Sequence, residues 1–189
     1  MDKILLVCSS EKGTKVYTDN IKSMGYLNID TETNGAAARR KMIQDEYNII
    51  LIDTPLKDEF GTELALKAVE TSNSGVILMV KSVNSDMILS KVSDYGIFVI
   101  AKPFTKSIFV QGFKFVLTSL SKLTALKNEH SKLIKKVDDI KRIDRAKCLL
   151  IQYNKLTEDE AHKYIEKQAM NSRTSRREVA DKIIKFFEV

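Results

Sequence analysis

The sequence lacks the features that mark a membrane-spanning, disulfide-linked or metal-binding protein. None of its apolar runs reaches the roughly 18 residues that would cross a bilayer. The short run after Met1 is not followed by the small-residue cleavage site of a signal peptide. The two cysteines, Cys8 and Cys148, lie in different segments without the spacing of metal ligands, which is typical of reduced thiols in the cytosol. We therefore expect a cytoplasmic protein that does not bind a membrane.

Features of an enzyme are also missing. The sequence has no cluster of metal-ligating side chains, no pairing of a nucleophile with a base, and no glycine-rich loop of the type that binds phosphates. We expect a protein that is not an enzyme and that needs no cofactor.

Charge is unevenly distributed along the 189 residues. Residues 1–111 contain 13 Lys and Arg against 14 Asp and Glu, a balance of −1. Residues 112–189 contain 18 against 11, a balance of +7, and the two balances add to the net charge of +6. A neutral part followed by a basic part indicates that the second part binds a polyanion.

Residues 1–111 alternate between short apolar runs and helical stretches. The predicted strands cover residues 3–8, 27–31, 48–52, 75–80 and 97–101. The predicted helices between them cover residues 13–24, 35–46 and 61–71. The alternation predicts an α/β domain with a doubly wound, five-stranded parallel sheet, in which ligands bind at the carboxyl ends of the strands.

Two motifs at those strand ends carry a resemblance to a known family. Residues 49–61 read IILIDTPLKDEFG, with Asp53 after four apolar residues, and residues 99–104 read VIAKPF, with Lys102 before a proline. In this order they resemble the phosphoacceptor and Lys-Pro-Phe motifs of response-regulator receiver domains. The resemblance covers about residues 1–115. It implies a receiver-like, flavodoxin-like fold, with Asp53 as the candidate phosphoacceptor and Lys102 as its partner.

Several positions depart from the receiver pattern. The two adjacent carboxylates that help to hold a divalent cation in the family are replaced by Cys8 and Ser9, and the switch residues by Val80 and Val99. Phosphoryl transfer depends on neutralising charge, which Mg²⁺ held by carboxylates provides in the family. We therefore expect Mg²⁺ as a cofactor only if Asp53 can accept phosphate. Either Asp53 accepts phosphate, or the domain is a degenerate receiver that serves as a scaffold or dimerisation surface; we favour the second interpretation.

A long helix is predicted from about residue 111 to residue 152, where the sequence has no proline and one glycine. Within it, three- and four-residue steps alternate along a seam formed by Leu123, Leu126, His130, Leu133, Val137 and Ile140. This is the a/d spacing of a coiled coil about three heptads long. We predict a parallel homodimer; packing of the helix against its own N-terminal domain is the alternative.

Two helix starts follow the long helix. Thr157 with Glu160, and Ser175 with Glu178, have the spacing of capping boxes, and they predict helices over 158–170 and 176–187. The predicted buried faces follow the helical period and consist of Ala161, Tyr164, Ile165, Ala169, Val179, Ala180, Ile183, Ile184 and Phe187. Together with the end of the long helix, they predict a compact three-helix module.

Short motifs in this module carry a second resemblance. They are Arg145–Leu150, Leu156–Glu158, Glu160–Ala161, Tyr164–Ile165, Ala169–Met170 and Arg173. In this order they are similar to the ANTAR domain, the antiterminator module of the AmiR/NasR type, over about residues 135–187. A receiver-like domain, a coiled coil and an ANTAR module is the usual layout of that family. The resemblance implies binding of paired stem-loops in nascent RNA, which would prevent a terminator hairpin from forming.

RNA is recognised largely through unpaired bases, by stacking and edge contacts on a basic surface. The predicted RNA-binding residues are therefore basic side chains of the module and one tyrosine: Arg142, Arg145, Lys147, Lys163, Tyr164, Lys167, Arg173, Arg176 and Arg177. Core packing is the alternative role of Tyr164. A DNA-binding response regulator controlled by phosphorylation of Asp53 is the alternative function, because a helix-turn-helix also joins two helices by a short turn.

The predicted organisation has three parts. A receiver-like domain covers 1–111, a coiled-coil linker helix 112–144, and an ANTAR RNA-binding domain 135–189. The predicted partners are RNA hairpins, a second copy of the chain, and a sensor kinase or a sequestering protein.

Overall fold

The computed structural model describes residues 2–188, which form an α/β unit that ends at Leu123 and a helical unit that begins at Thr124. The strands are β1 (Lys3–Cys8), β2 (Asn28–Glu32), β3 (Ile49–Asp53), β4 (Gly75–Lys81) and β5 (Phe98–Lys102). The helices are α1 (Glu11–Ser23), α2 (Gly35–Gln44), α3 (Thr62–Thr71), α4 (Ser82–Val92), α5 (Lys106–Asn154), α6 (Glu158–Ser172) and α7 (Arg176–Phe187).

The five strands form one parallel sheet in the order β2-β1-β3-β4-β5. Each predicted strand is confirmed to within one residue at either end. The apolar runs form strands because both faces of the sheet are covered by helices. One core cluster contains residues of α2, α3 and α4, such as Leu64 and Ile88, and the other contains residues of α1 and α5, such as Ile21 and Phe113.

Helix α4 was not predicted from the sequence. Its eleven residues, SVNSDMILSKV, contain polar side chains on most turns, and its buried residues are Ile88 and Val92, one turn apart. Two core residues make too weak a periodic signal to distinguish a helix from a loop. The preceding Lys81 makes no side-chain capping bond. The helix therefore depends on packing against the sheet rather than on its own sequence.

Helix α5 begins at Lys106, earlier than predicted, because its first turns cover the sheet. Phe109 and Phe113 are fully buried there. Gly112 lies against β5 so closely that a Cβ atom would be 2.6 Å from Cε1 of Phe98. The α/β unit therefore includes buried residues of α5 that lie beyond the range predicted for the receiver-like domain. Neither α5, with its 49 residues, nor any other described helix is apolar enough over a sufficient length to cross a membrane.

The middle of α5 carries the predicted seam. The apolar members are each more than half exposed in the single chain: Leu123 (57%), Leu126 (62%), Leu133 (54%), Val137 (51%) and Ile140 (58%). His130 is exposed as well. A stripe of this kind is stable in water when a second apolar surface covers it.

The helical unit is a three-helix module with a small core. Its buried residues come from the end of α5, from α6 and from α7: Ala146, Leu150, Ala161, Ile165, Ala169, Val179 and Ala180. Both predicted starts are present: Thr157 and Glu160 form a reciprocal capping box, and the Ser175 side chain accepts from the Glu178 amide. Tyr164 is 42% exposed. The prediction that it belongs to the buried face of α6 is therefore wrong.

We expect Phe113→Ala to lower the free energy of unfolding of the α/β unit by about 3–5 kcal/mol, because it leaves a cavity in a fully buried site. Urea unfolding followed by circular dichroism measures this change. Phe115→Ala is the matched control: this ring is 62% exposed, and its loss should cost about 1 kcal/mol or less. Equal effects of the two substitutions would contradict the packing described for α5.

Candidate functional site

Asp53 lies at the carboxyl end of β3, at the sheet edge where ligands were predicted to bind. In the sheet register it stands beside Cys8 of β1. Lys102 Nζ donates to Asp53 Oδ1 at 2.6 Å, and Cys8 Sγ lies 3.3 Å from Asp53 Oδ2. Lys102 also donates to the carbonyl oxygen of Thr54 at 2.6 Å. The structure thus brings Asp53 and Lys102 together and adds a thiol on the second carboxylate oxygen.

Tyr17 of α1 lies beside Asp53 and Cys8. The Asp53 cluster, as it is called below, consists of Asp53, Lys102, Cys8 and Tyr17. Its ring stacks on those of Phe104 and Phe109, with centroids 6.2 and 5.8 Å away. Burial raises the pKa of the Tyr17 hydroxyl, and the charge of Asp53 acts in the same direction. Burial likewise raises the pKa of the Cys8 thiol, again with a contribution from Asp53. Tyr17 was not predicted as a site residue, because nothing in the linear sequence brings α1 to Asp53.

The side chains around Asp53 do not fit a magnesium ion. This ion takes oxygen ligands in near-octahedral geometry, carboxylates among them. Cys8 presents a protonated thiol instead, and Ser9 Oγ donates to the carbonyl oxygen of Pro55 at 2.9 Å. The Ser10 hydroxyl is used as the N-cap of α1. Within residues 2–188, no group of three His, Cys, Asp or Glu side chains could hold a metal ion.

Strand β4 ends at Lys81, one residue beyond the predicted strand. Val80 is fully buried in the core cluster of α2, α3 and α4, whereas Met79 packs in the cluster on the Asp53 side. Because side chains alternate along a strand and β4 extends to Lys81, the residue on the Asp53 side is Lys81. In the register of β4 and β5, Lys81 lies opposite Lys102. The Asp53 side of this strand end therefore presents Lys81, and Val80, which lacks the hydroxyl group of the family's switch residue, faces the other core.

The predicted RNA-binding cations of the helical unit fall into two groups. Five of the eight form ion pairs: Arg142 with Asp181 at 3.3 Å, Arg145 with Glu188, Lys147 with Asp144 at 2.8 Å and Glu158 at 3.2 Å, Arg176 with Glu166 at 3.2 Å, and Arg177 with Asp139 and, at 2.6 Å, Asp138. Most of these pairs join two different helices. Among these five cations Lys147 is the least accessible, with 16% of its side chain exposed.

The second group consists of Lys163, Lys167 and Arg173. All three are exposed, and no carboxylate of the described chain forms an ion pair with them. Lys163 and Lys167 are one turn apart on α6, so they project from one side of that helix. Arg173 is the C-cap of α6 and has a left-handed backbone, with φ of 52°. These cations are open to a polyanion.

Exposed aromatic rings accompany the open cations. Tyr164 follows Lys163 on α6, and Phe186 of α7 is 78% exposed. Phe186 meets Phe187 edge to face at 4.9 Å, and Phe187 stacks on Tyr153 at 4.9 Å with an angle of 8° between the rings. Phe186 and Tyr153 were not predicted as site residues. The signal for Phe186 was its place next to Phe187, a predicted core residue of a basic module, whereas Tyr153 had no such neighbour.

Comparison with known proteins assigns the two parts of the chain. Residues 131–184 match the family model of the ANTAR domain. The transcriptional regulatory protein PdtaR of Mycobacterium tuberculosis is 22% identical over 165 residues, which cover 87% of this chain and 80% of that protein.

Solved structures that resemble the chain include receiver domains and response regulators. A two-component response regulator from Clostridium difficile is 21% identical with a TM-score of 0.56, over 62% of this chain and 97% of that one. A CheY-like receiver domain from Methanospirillum hungatei is 22% identical with the same TM-score, over 65% and 98%. At identities of 21% and 22%, the similarity to these structures shows a shared fold and nothing further. The chain therefore combines a domain that has the receiver fold with a C-terminal segment, residues 131–184, that matches the ANTAR domain.

Proposed function

We propose that this protein regulates transcription by binding stem-loops in nascent RNA through its ANTAR domain, so that a terminator hairpin does not form. The observation that carries the proposal is the ANTAR match at 131–184 within a segment, 112–189, whose charge balance is +7. A polyanion such as RNA is attracted by this charge. The name of the mycobacterial relative, a transcriptional regulatory protein, supports the same function.

The unpaired cations are the best candidates for phosphate contacts. A cation without a carboxylate partner can contact RNA without first breaking an ion pair. Lys163, Lys167 and Arg173 meet this condition within the described chain. The ion-paired group, by contrast, holds the helices of the module together, as where Arg177 of α7 pairs with Asp138 of α5 at 2.6 Å. We therefore assign phosphate binding mainly to the first group and positioning of the helices to the second.

Binding of duplex DNA is the competing function. Three residues, Arg173 to Ser175, connect α6 and α7, a length that a helix-turn-helix also uses. A recognition helix contacts base edges with residues near its N-terminus. On α7 those positions are Arg176 and Arg177, and both are paired with carboxylates. Because these two arginines are held in ion pairs, they are less available to contact DNA bases, and we favour RNA as the ligand.

A homodimer would bring two ANTAR domains together, as the binding of paired stem-loops requires. The support is the exposed seam on α5, which leaves five large apolar side chains in contact with water in the single chain. Asn128 lies at an f position, on the opposite side of the helix from the seam. We propose that the seam of a second chain covers this stripe.

We propose that the receiver-fold domain acts as a scaffold that needs no phosphorylation. Both oxygens of Asp53 are already engaged, by Lys102 at 2.6 Å and by the Cys8 thiol at 3.3 Å. An incoming phosphoryl group would meet no magnesium site. A protein that covers this surface, either a sensor kinase or a sequestering partner, would then act through binding alone.

We expect Lys163→Ala and Lys167→Ala each to weaken binding of hairpin RNA to the full chain. Each lost phosphate contact should reduce the slope of log K against log salt by about 0.7–0.9. Fluorescence anisotropy at several salt concentrations measures both quantities. Arg177→Ala is the control. It should lower the melting temperature of the protein and leave the slope of log K against log salt nearly unchanged. A salt-independent affinity would contradict the proposed contacts.

We expect the double substitution Leu126→Lys and Leu133→Lys to convert a dimer into a monomer, because it places charges in the apolar seam. Sedimentation equilibrium gives the mass directly. Asn128→Lys adds the same type of side chain outside the seam and should leave the dimer intact. A wild-type chain that is monomeric at all concentrations tested would rule out the seam as a dimer interface.

We expect purified protein to form little phosphate adduct with acetyl phosphate and Mg²⁺, and Asp53→Ala to leave RNA affinity unchanged. Intact-mass measurement detects the adduct. The matched variant Cys8→Asp with Ser9→Asp restores the acidic pair and should increase the adduct if it remains folded by circular dichroism. Prompt phosphorylation of the wild type that tightens RNA binding would show that Asp53 is a working phosphoacceptor.

A further inference from the structure

One side of the ANTAR module contains a groove between α6 and α7 that has a volume of about 390 Å³. Helix α6 contributes Tyr164, Gln168 and Ser172, which recur every four residues and therefore form one stripe. Helix α7 contributes Phe186 among others, and the end of α5 contributes Asn154. All of these residues belong to the helical unit, so the groove is a property of the module itself.

The aromatic rings of the groove are more exposed than core packing would leave them. Phe186 is 78% exposed and Tyr164 is 42% exposed. The Phe186 ring meets that of Phe187 edge to face, and the Phe187 ring stacks in turn on Tyr153. The row of three rings gives Phe186 a fixed support at the groove. An exposed and supported aromatic surface is suited to stacking against another flat ring.

The charge around the groove is positive. Lys182 is one of its lining residues, and no Asp or Glu of the described chain lines it. Lys163 and Lys167 directly precede Tyr164 and Gln168 on α6 and have no ion-pair partner within residues 2–188. Five acidic residues of the module form ion pairs with its arginines instead: Asp138, Asp139, Glu166, Asp181 and Glu188. The groove thus combines an apolar lining with cations, and this combination is complementary to a flat base attached to phosphates.

Two carboxamides supply hydrogen-bonding groups. The side chains of Asn154 and Gln168 line the groove, and neither forms a hydrogen bond with another described group. Each carboxamide offers donors and an acceptor. Such groups match the donor and acceptor pattern on the edges of an unpaired base. They give the groove a means to discriminate between bases, which stacking alone would not provide.

We propose that this groove binds an unpaired base from the loop of an RNA hairpin, with Phe186 and Tyr164 stacking on it and Gln168 and Asn154 contacting its edge. The inference rests on the proposed RNA-binding function and adds the class of group that is recognised. The groove is then the specificity-determining part of the RNA surface. Lys163 and Lys167 hold the neighbouring phosphates.

The test uses the full chain and stem-loop RNAs selected by the wild type from a pool with randomised loops. Phe186→Ala and Gln168→Ala should each weaken binding roughly 5- to 100-fold, the range expected from loss of a stacked or edge-bonded base. Because neither residue is charged, the slope of log K against log salt should not change. Phe115→Ala, which removes an exposed ring from the α/β unit, is the matched control and should have no effect.

A second measurement locates the contact directly. The chain contains no tryptophan, so Phe186→Trp introduces a single fluorophore at the groove. Its emission should be quenched when the selected stem-loop is added, and much less by a fully paired duplex with the same stem. Phe115→Trp serves as the control and should not respond to either RNA.

The outcomes separate the inference from the proposed function. If the wild type binds stem-loops while Phe186→Ala and Gln168→Ala bind them equally well, the groove assignment is wrong and RNA binding stands. If the wild type binds no stem-loop, both fail. If emission of the Phe186→Trp protein changes with protein concentration in the absence of RNA even when Leu126→Lys and Leu133→Lys disrupt the seam, the groove binds a second copy of the chain, and the base-binding assignment is overturned.

Discussion

The continuous helix α5 is the constraint on which the structure depends, because one helix contributes to two separate cores. Near its start, Phe109 and Phe113 are fully buried against the sheet of the receiver fold, and near its end Ala146 and Leu150 are buried in the three-helix module. Between these regions the seam from Leu123 to Ile140 is exposed. Apolar residues recur along most of the helix, but each region has a different partner: the sheet, α6 with α7, and, for the exposed seam, the second chain that we propose.

The sequence was informative wherever a pattern is local. Apolar runs located the strands, and the spacing of Thr157 with Glu160 located the start of α6, because a capping box involves residues only one turn apart. Helix α4 escaped prediction because its buried face consists of Ile88 and Val92. The position of Lys81 beside Lys102 was not predicted, because β4 continues one residue beyond the predicted strand and successive side chains lie on opposite sides of a sheet.

The candidate sites depend on contacts that sequence patterns cannot reveal. Arg177 and Asp138 are far apart in the chain, yet their ion pair distinguishes a helix-positioning cation from an open one such as Lys167. In the same way, the position of the Cys8 thiol on the Asp53 carboxylate depends on the register of β1 and β3. Residue types suggested a basic RNA surface and a modified phosphoacceptor site. The three-dimensional contacts divide the basic residues into two groups and show why the Asp53 cluster does not fit a magnesium ion.

The most direct test of RNA recognition is ultraviolet crosslinking in cells, followed by sequencing of the RNA attached to the protein. The proposed function predicts reads concentrated at stem-loops in nascent transcripts, upstream of sequences that can form terminator hairpins, with crosslinked positions in unpaired loops. The Phe186→Ala protein, expressed at the same level, should lose this concentration while retaining weak, dispersed crosslinks. An absence of RNA crosslinks above background, together with enrichment of duplex DNA by the same protein, would contradict RNA recognition and favour a DNA-binding regulator.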